Sequence, residues 1–262
     1  MNLKMPWASA FVSILATFTP ANAQTPTEPP DPNSETNAAD EQKAPVEIIP
    51  QRQWRYEALY ADGWSIARFI DDVTVYGATG EQIGDLENVL VGKDGKILAV
   101  VIEMGGFLDF GDTHIMVPWD QVEVDPSLNR IDVPVNQENA EKYSMYGVSS
   151  FVTKAESQDK QVVFEEIATG PRVWQVTELL YDFALLNERA GYGYVDDLIF
   201  SREGKLVAVV VNPDYGNTPG RYAYPYYGYD YGFDPGAPFY SLGYGKDEAA
   251  ELKPFDDKKL RN

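Results

Sequence analysis

The sequence predicts an all-β protein made of two small β-barrels in tandem, with short helical pieces. Two observations carry this prediction. A segment of the chain repeats once at an offset of 109 residues, and each copy of the segment has the pattern of a β-hairpin. A repeat of that length is typical of a duplicated small domain rather than of a solenoid.

The repeat aligns residues 84–102 with residues 193–211 without gaps. Six of the 19 positions are identical, and nearly all the others exchange similar residues. In the first copy, Leu86–Val91 and Ile97–Ile102 are rich in β-branched and large apolar residues, and Gly95 supplies the positive φ of a tight turn. Both runs are apolar on two faces, so we expect each sheet to curl or to be covered on its second face.

More short strands follow the first hairpin. We predict strands at His114–Trp119 and Ile131–Val135, and a short helical piece at Glu138–Lys142 that is capped by Asn136. In the second copy we expect the later strands to be replaced by a tyrosine-rich wrap.

The N-terminal region has the pattern of an export signal. Lys4 precedes an apolar run from Trp7 to Phe18, and residues 21–23 give a small-x-small cleavage pattern. The run is too short to span about 30 Å of hydrocarbon. We therefore expect a signal peptide, a periplasmic or secreted protein, and no membrane span after cleavage.

The expected organisation has six parts. Copy one and copy two are the names used below for the two barrels. The parts are a signal peptide at 1–23, a disordered linker at 24–50, copy one at 51–142, a connector at 143–172, copy two with its tyrosine-rich segment at 173–245, and a charged tail at 246–262.

Composition excludes several kinds of function. The formal net charge of −20 argues against binding of nucleic acid and of anionic lipid, which both require clusters of Lys and Arg. The chain has no cysteine, which rules out disulfides, thiolate metal sites and a cysteine nucleophile. We expect core packing to hold the fold together, and 44% of the residues are hydrophobic.

No catalytic or metal-binding pattern stands out. His114 is the only histidine, and no Asp-x-Asp-x-Asp-Gly calcium loop occurs. Adjacent acidic pairs such as Asp196-Asp197 would point to opposite faces of a strand. We therefore expect no catalytic residue, no metal ligand and no cofactor, and we interpret the chain as a protein that is not an enzyme.

The tyrosine-rich segment is the candidate binding surface. Tyrosine combines a large apolar ring with a polar hydroxyl, which suits interfaces. The alternative is structural, with the rings packing copy two in place of strands. The candidate residues lie within ten positions of one another: Tyr222, Tyr224, Tyr226, Tyr227, Tyr229 and Tyr231.

Copy one closely resembles the PRC-barrel family, and copy two is similar but less complete. The resemblance runs from Trp64 to Lys142 and rests on the order and spacing of several short motifs. They are Trp64–Ile70, Gly80–Gly84, Leu86–Leu90, Asp94-Gly95, Gly105–Leu108 and Val117–Asp120. The resemblance implies a compact barrel of about six strands and an adaptor role, in which the domain docks on another protein.

We therefore expect an exported binding or adaptor protein of the bacterial cell envelope, with a protein partner. Two alternatives stay open: an acidic cation-binding or stress-related envelope protein, and a hydrolase that cleaves glycans with two carboxylates.

Overall fold

A computed structural model describes residues 46–104, 113–143, 173–213, 220–228, 231, 233 and 237–260, within a compact unit that spans Pro45–Asn262. The prediction of an all-β fold is confirmed, because the described strands form two curled sheets. The α-helices in these ranges have at most seven residues.

The strands of copy one and its lead-in are β1 (Trp64–Ser65), β2 (Thr74–Tyr76), β3 (Gln82–Gly92), β4 (Ile97–Met104), β5 (Thr113–Pro118), β6 (Glu123–Val124) and β7 (Arg130–Asp132). Those of copy two and its lead-in are β8 (Val173–Gln175), β9 (Phe183–Leu185), β10 (Gly191–Phe200), β11 (Leu206–Pro213), β12 (Tyr222–Pro225) and β13 (Phe239–Ser241). The helices are α1 (Glu57–Asp62), α2 (Ile66–Asp72) and α3 (Lys246–Ala250).

Both predicted hairpins are present. Strand β3 pairs antiparallel with β4, and β10 pairs in the same way with β11. The turn glycines Gly95 and Gly204 have φ values of 79° and 73°, which residues with a side chain rarely adopt. The helical piece after β7 is a 3-10 turn at Ala140–Lys142, and the Asn136 side chain accepts the backbone N–H of Glu138.

The expectation that copy two lacks its later strands is wrong. Strand β12 lies inside the tyrosine-rich segment and pairs with β11 as β5 pairs with β4. Pro118 lies opposite Ala99, and Pro225 lies opposite Ala208. Strand β13 runs parallel to β9 as β7 runs parallel to β2. Tyrosine is a good strand former, so the segment keeps the pairing while changing the side chains.

The two copies exchange their lead-in strands. Trp64 of β1 pairs with Phe200 of copy two, and Trp174 of β8 pairs with Val91 of copy one. The hairpin turns also meet, since the N–H of Ile97 donates to the carbonyl of Gly204 at 2.9 Å. In the reciprocal bond, the N–H of Leu206 donates to the carbonyl of Gly95 at 2.8 Å. Within the one chain, the two copies therefore contact each other through equivalent residues, as the subunits of a symmetric dimer do.

One hydrophobic core runs through both copies, with members as distant in sequence as Trp64 and Tyr244. A second cluster covers part of the opposite, outer face of the copy-two sheet, around Ile199. Leu59 of α1, Phe255 and Leu260 there pack against residues such as Val210. The sheets thus curl, as expected, and one of them is also covered.

Two predicted segments contribute more to the fold than expected. The end of the predicted linker packs on the core through Ile48, and the predicted tail folds back, with Phe255 and Leu260 buried. Apolar side chains within the charged sequence explain this packing. The Gly105–Leu108 motif, most of the connector and Tyr229 lie outside the described residues.

Candidate interaction surface

An aromatic row crosses the outer face of the copy-two sheet. Phe183 of β9 lies beside Phe239 of β13 on one side and Tyr194 of β10 on the other. The rings of Phe183 and Tyr194 meet edge to face with centroids 5.3 Å apart, a favourable geometry. Phe183 and Phe239 are half-buried, whereas Tyr194 is 45% exposed.

Tyr181 lies two residues before Phe183, next to the row in the backbone. Its ring is 74% exposed, and its backbone N–H donates to the carbonyl of Val195, the residue after Tyr194. Tyr181 and Tyr194 are the exposed large hydrophobic residues in the part of the chain that the structure describes. Below, "aromatic row" denotes Tyr181, Phe183, Tyr194 and Phe239.

Copy one has polar residues in place of the three strand residues of the row. The residues 109 positions earlier are Thr74, Asp85 and Arg130, and they lie side by side on β2, β3 and β7. The same backbone framework is therefore built without these aromatic rings. The row is an addition of copy two that the architecture does not require.

Strained backbone flanks the row. Tyr181 has a φ of 72°, and Glu188 and Arg189 have φ values of 59° and 58°. Such conformations cost about 1–2 kcal/mol per residue and often mark functional segments. Here the turn at Asn187–Arg189 brings the Arg189 guanidinium to 4.8 Å from the Phe239 ring centroid.

The predicted tyrosines lie mostly in or against the core. Tyr222 and Tyr224 of β12 are buried, and the hydroxyl of Tyr224 donates to that of Tyr192 at 2.8 Å. Burial raises the pKa of Tyr224. At 4% and 0% exposure, these two residues offer a partner almost no surface and support the structural alternative, while their binding role stays a prediction.

Tyr226, Tyr227 and Tyr231 are half-buried. The Tyr227 hydroxyl accepts the N–H of Ile49 at 2.8 Å and also bonds the hydroxyl of Tyr244. The Tyr231 ring lies edge-on to Tyr227 at 5.5 Å. These contacts support the structural alternative for the segment, while a binding role for these three residues stays a prediction.

One family model matches copy one. Residues 69–139 match the PRC-barrel domain. The family prediction for copy one is therefore confirmed. The match spans β2 to β7, the strands that enclose the copy-one part of the core. No curated protein matches the chain.

A shallow cleft of about 330 Å³ in the PRC-barrel domain holds two carboxylates, Glu123 and Asp132, which lie opposite each other on β6 and β7. The Arg130 guanidinium donates two hydrogen bonds to the Asp132 carboxylate and lowers the pKa of that carboxyl. A general acid in glycan hydrolysis needs a raised pKa instead. Asp132 therefore lacks the electrostatics of a general acid.

The acidic pair Asp196-Asp197 does not point to opposite faces as expected. A β-bulge after Val195 interrupts the alternation, so both carboxylates approach Arg221, at 2.5 and 3.6 Å. Asp257 bonds the same guanidinium at 3.1 Å. These acids neutralise a cation of the chain itself and join β10 to the C-terminal segment.

On the surface of copy one, Nε2 of His114 lies 3.1 Å from a carboxylate oxygen of Glu87. The described residues contain no group of three or more His, Cys, Asp or Glu that could hold a metal ion. In the same residues, no helix is long and apolar enough to cross a membrane.

Proposed function

We propose that the chain is a non-enzymatic binding protein, exported to the bacterial cell envelope, in which copy two is a second PRC-barrel domain that docks on a protein partner. PRC-barrel domains commonly act as protein-interaction modules, and copy one matches that family. The β9–β13 pairing of copy two repeats the β2–β7 pairing of copy one at the same offset of 109 residues, which supports its assignment to the family.

The aromatic row carries the proposal. Tyrosine is enriched among the residues that contribute most to binding at protein interfaces, and a contiguous exposed aromatic patch is typical of an interaction site. Copy one provides an internal comparison, because it builds the same strands with polar residues there. We therefore assign docking to the outer face of the copy-two sheet, around Tyr181 and Tyr194.

Affinity capture from envelope extracts tests this assignment. The variant Tyr181→Ser/Tyr194→Ser removes the two exposed rings, and Asp85→Ser is the matched control at the copy-one position of Tyr194. We expect the wild type and the control to recover the same partner, with recovery reduced about tenfold or more in the double variant. Equal recovery by all three proteins would refute the assignment.

Loss of the contact between Tyr194 and Phe183 costs about 0.5–1.5 kcal/mol and Asp85→Ser costs less, so a thermal melt should show that both variants are folded. Substitutions of Tyr226 or Tyr227 are less informative, because Tyr227 anchors Ile49 and its loss would disturb the fold.

Export has its own test. If residues 1–23 are a signal peptide, the protein recovered from the periplasm begins at Gln24. N-terminal sequencing of the native protein measures this directly, and a chain that retains Lys4 would contradict the proposal.

A further inference from the structure

We propose that the partner presents arginine side chains to the aromatic row. This inference rests on the proposed function, since it names the chemistry of the partner that docks there. It is drawn from three features of the molecule: the way its rings already bind guanidinium groups, the state of Tyr181 and Tyr194, and the charge of the chain.

Aromatic rings on the outer faces of both sheets hold guanidinium groups. In copy one, the Arg130 guanidinium lies 3.7 Å from the ring centroid of Tyr76. In copy two, Phe239 occupies the position equivalent to Arg130, so the second sheet has a ring where the first has a cation. Arg189, which lies in a turn with strained backbone, places its guanidinium over that ring.

In the part of the chain that the structure describes, no cation lies over the two exposed rings of the row. Among the described residues, the cation–π pairs of this chain involve Tyr60, Tyr76 and Phe239, and neither Tyr181 nor Tyr194. A ring face carries negative charge density and attracts a cation. Within the described ranges, Tyr181 and Tyr194 are therefore exposed rings without a cation–π partner, on the same sheet as Phe239, whose ring already holds an arginine.

The charge of the chain favours the same partner. A net charge of −20 attracts basic proteins and repels acidic ones. Arginine suits the row better than lysine because the planar guanidinium stacks on rings and loses its hydration more easily. A basic partner segment with exposed arginines would thus match both the charge and the rings.

Calorimetric titration with synthetic peptides tests the inference on the full chain. The probes are a peptide that alternates arginine with serine, and matched peptides with lysine or glutamate in place of arginine. We expect the arginine peptide to bind several-fold more tightly than the lysine peptide, and the glutamate peptide not to bind. Tyr181→Ser/Tyr194→Ser should weaken the arginine peptide about tenfold, the effect of two exposed cation–π pairs.

Asp85→Ser is the control for charge, since it removes a carboxylate and keeps the row. It should leave the affinity for the arginine peptide within about twofold of the wild type. Equal binding of the arginine and lysine peptides would overturn the inference, as would equal effects of the control and of the double variant.

The two proposals fail in different ways. If capture of the envelope partner depends on Tyr181 and Tyr194 but binding of the arginine peptide does not, docking on the row stands and the arginine inference falls. If neither depends on these rings, both fall.

Discussion

A single buried polar side chain in each hairpin holds the lead-in segment of the other copy. Asn88 donates to the side chains of Gln175 and Thr177 at 2.8 and 2.7 Å. Its counterpart Asp197 accepts the backbone N–H of Ala67 at 3.1 Å. Burial raises the pKa of Asp197, and hydrogen bonds from Ser65 and Ala67 and the charge of Arg221 oppose that shift. An amide and a carboxylate thus perform the same structural task.

Asp182 shows a different exchange between the copies, because its counterpart in copy one is the buried Val73. Oδ2 of Asp182 is buried and has no hydrogen-bond partner within the described ranges. Burial, with a smaller contribution from Glu178, raises the pKa of Asp182 to about 6. The folded protein therefore holds a proton that the unfolded chain releases near its ordinary pKa of 3.8.

This shift predicts a pH dependence of stability. Below the unfolded pKa the carboxyl is protonated in both the folded and the unfolded state, so its burial does not lower the free energy of unfolding. As pH rises from about 4 to about 6, the free energy of unfolding falls because the unfolded chain releases the proton first. Above about pH 6 it levels off. We expect Asp182→Asn to remove this loss and to stabilise the protein at pH 8 by about 1 kcal/mol, since the side chain is only partly buried. Urea unfolding from pH 4 to pH 8 measures this.

The variant Asp182→Val, which restores the copy-one residue, should flatten the pH dependence in the same way. If Asp182→Asn and the wild type differ by a constant amount across this pH range, the assignment of the titration to Asp182 is wrong.

At the scale of the elements, the hairpins were predictable and the strand exchange was not. The β-branched runs and Gly95 determine the hairpins locally. Strands β1 and β8 have two or three residues each, and only packing against the other copy selects their pairing. The sequence analysis did not predict the aromatic row, because its residues are scattered in sequence. It selected the closely spaced tyrosines instead, and these lie mostly in or against the core. Extending the 109-residue alignment to Phe183 and Phe239 would have revealed it.

Close approach of β10 and β11 predicts that Gly193 cannot be replaced. A Cβ at Gly193 would lie 2.1 Å from the carbonyl oxygen of Asn212 and 2.7 Å from Cα of Pro213. Both atoms are backbone, so the strands would have to separate. We expect Gly193→Ala to lower the free energy of unfolding by about 3 kcal/mol in urea unfolding.

The matched control is Gly80→Ala. Gly80 has a φ of 82°, but nothing lies within 4 Å of its Cβ position, so only conformational strain of about 1 kcal/mol is expected. If Gly193→Ala cost no more than Gly80→Ala, the strands would be able to accommodate a side chain and the packing argument would fail.

At the scale of the whole molecule, the two copies share one core and exchange one strand each, so neither buries its apolar surface alone. This predicts one cooperative unfolding transition for both copies. Ile102 of β4 and its counterpart Val211 of β11 are both fully buried and allow the prediction to be tested from either side.

We expect Ile102→Ala to destabilise the protein by about 3 kcal/mol. Because unfolding is shared, the most protected amides of β10 and β11 should lose as much protection in hydrogen exchange as those of β3 and β4. Val211→Ala should likewise lower the protection of the amides of β3 and β4 as much as that of the amides of β10 and β11. If each substitution affected only the amides of its own copy, the copies would unfold independently, and the strand exchange would join two separate domains rather than build one.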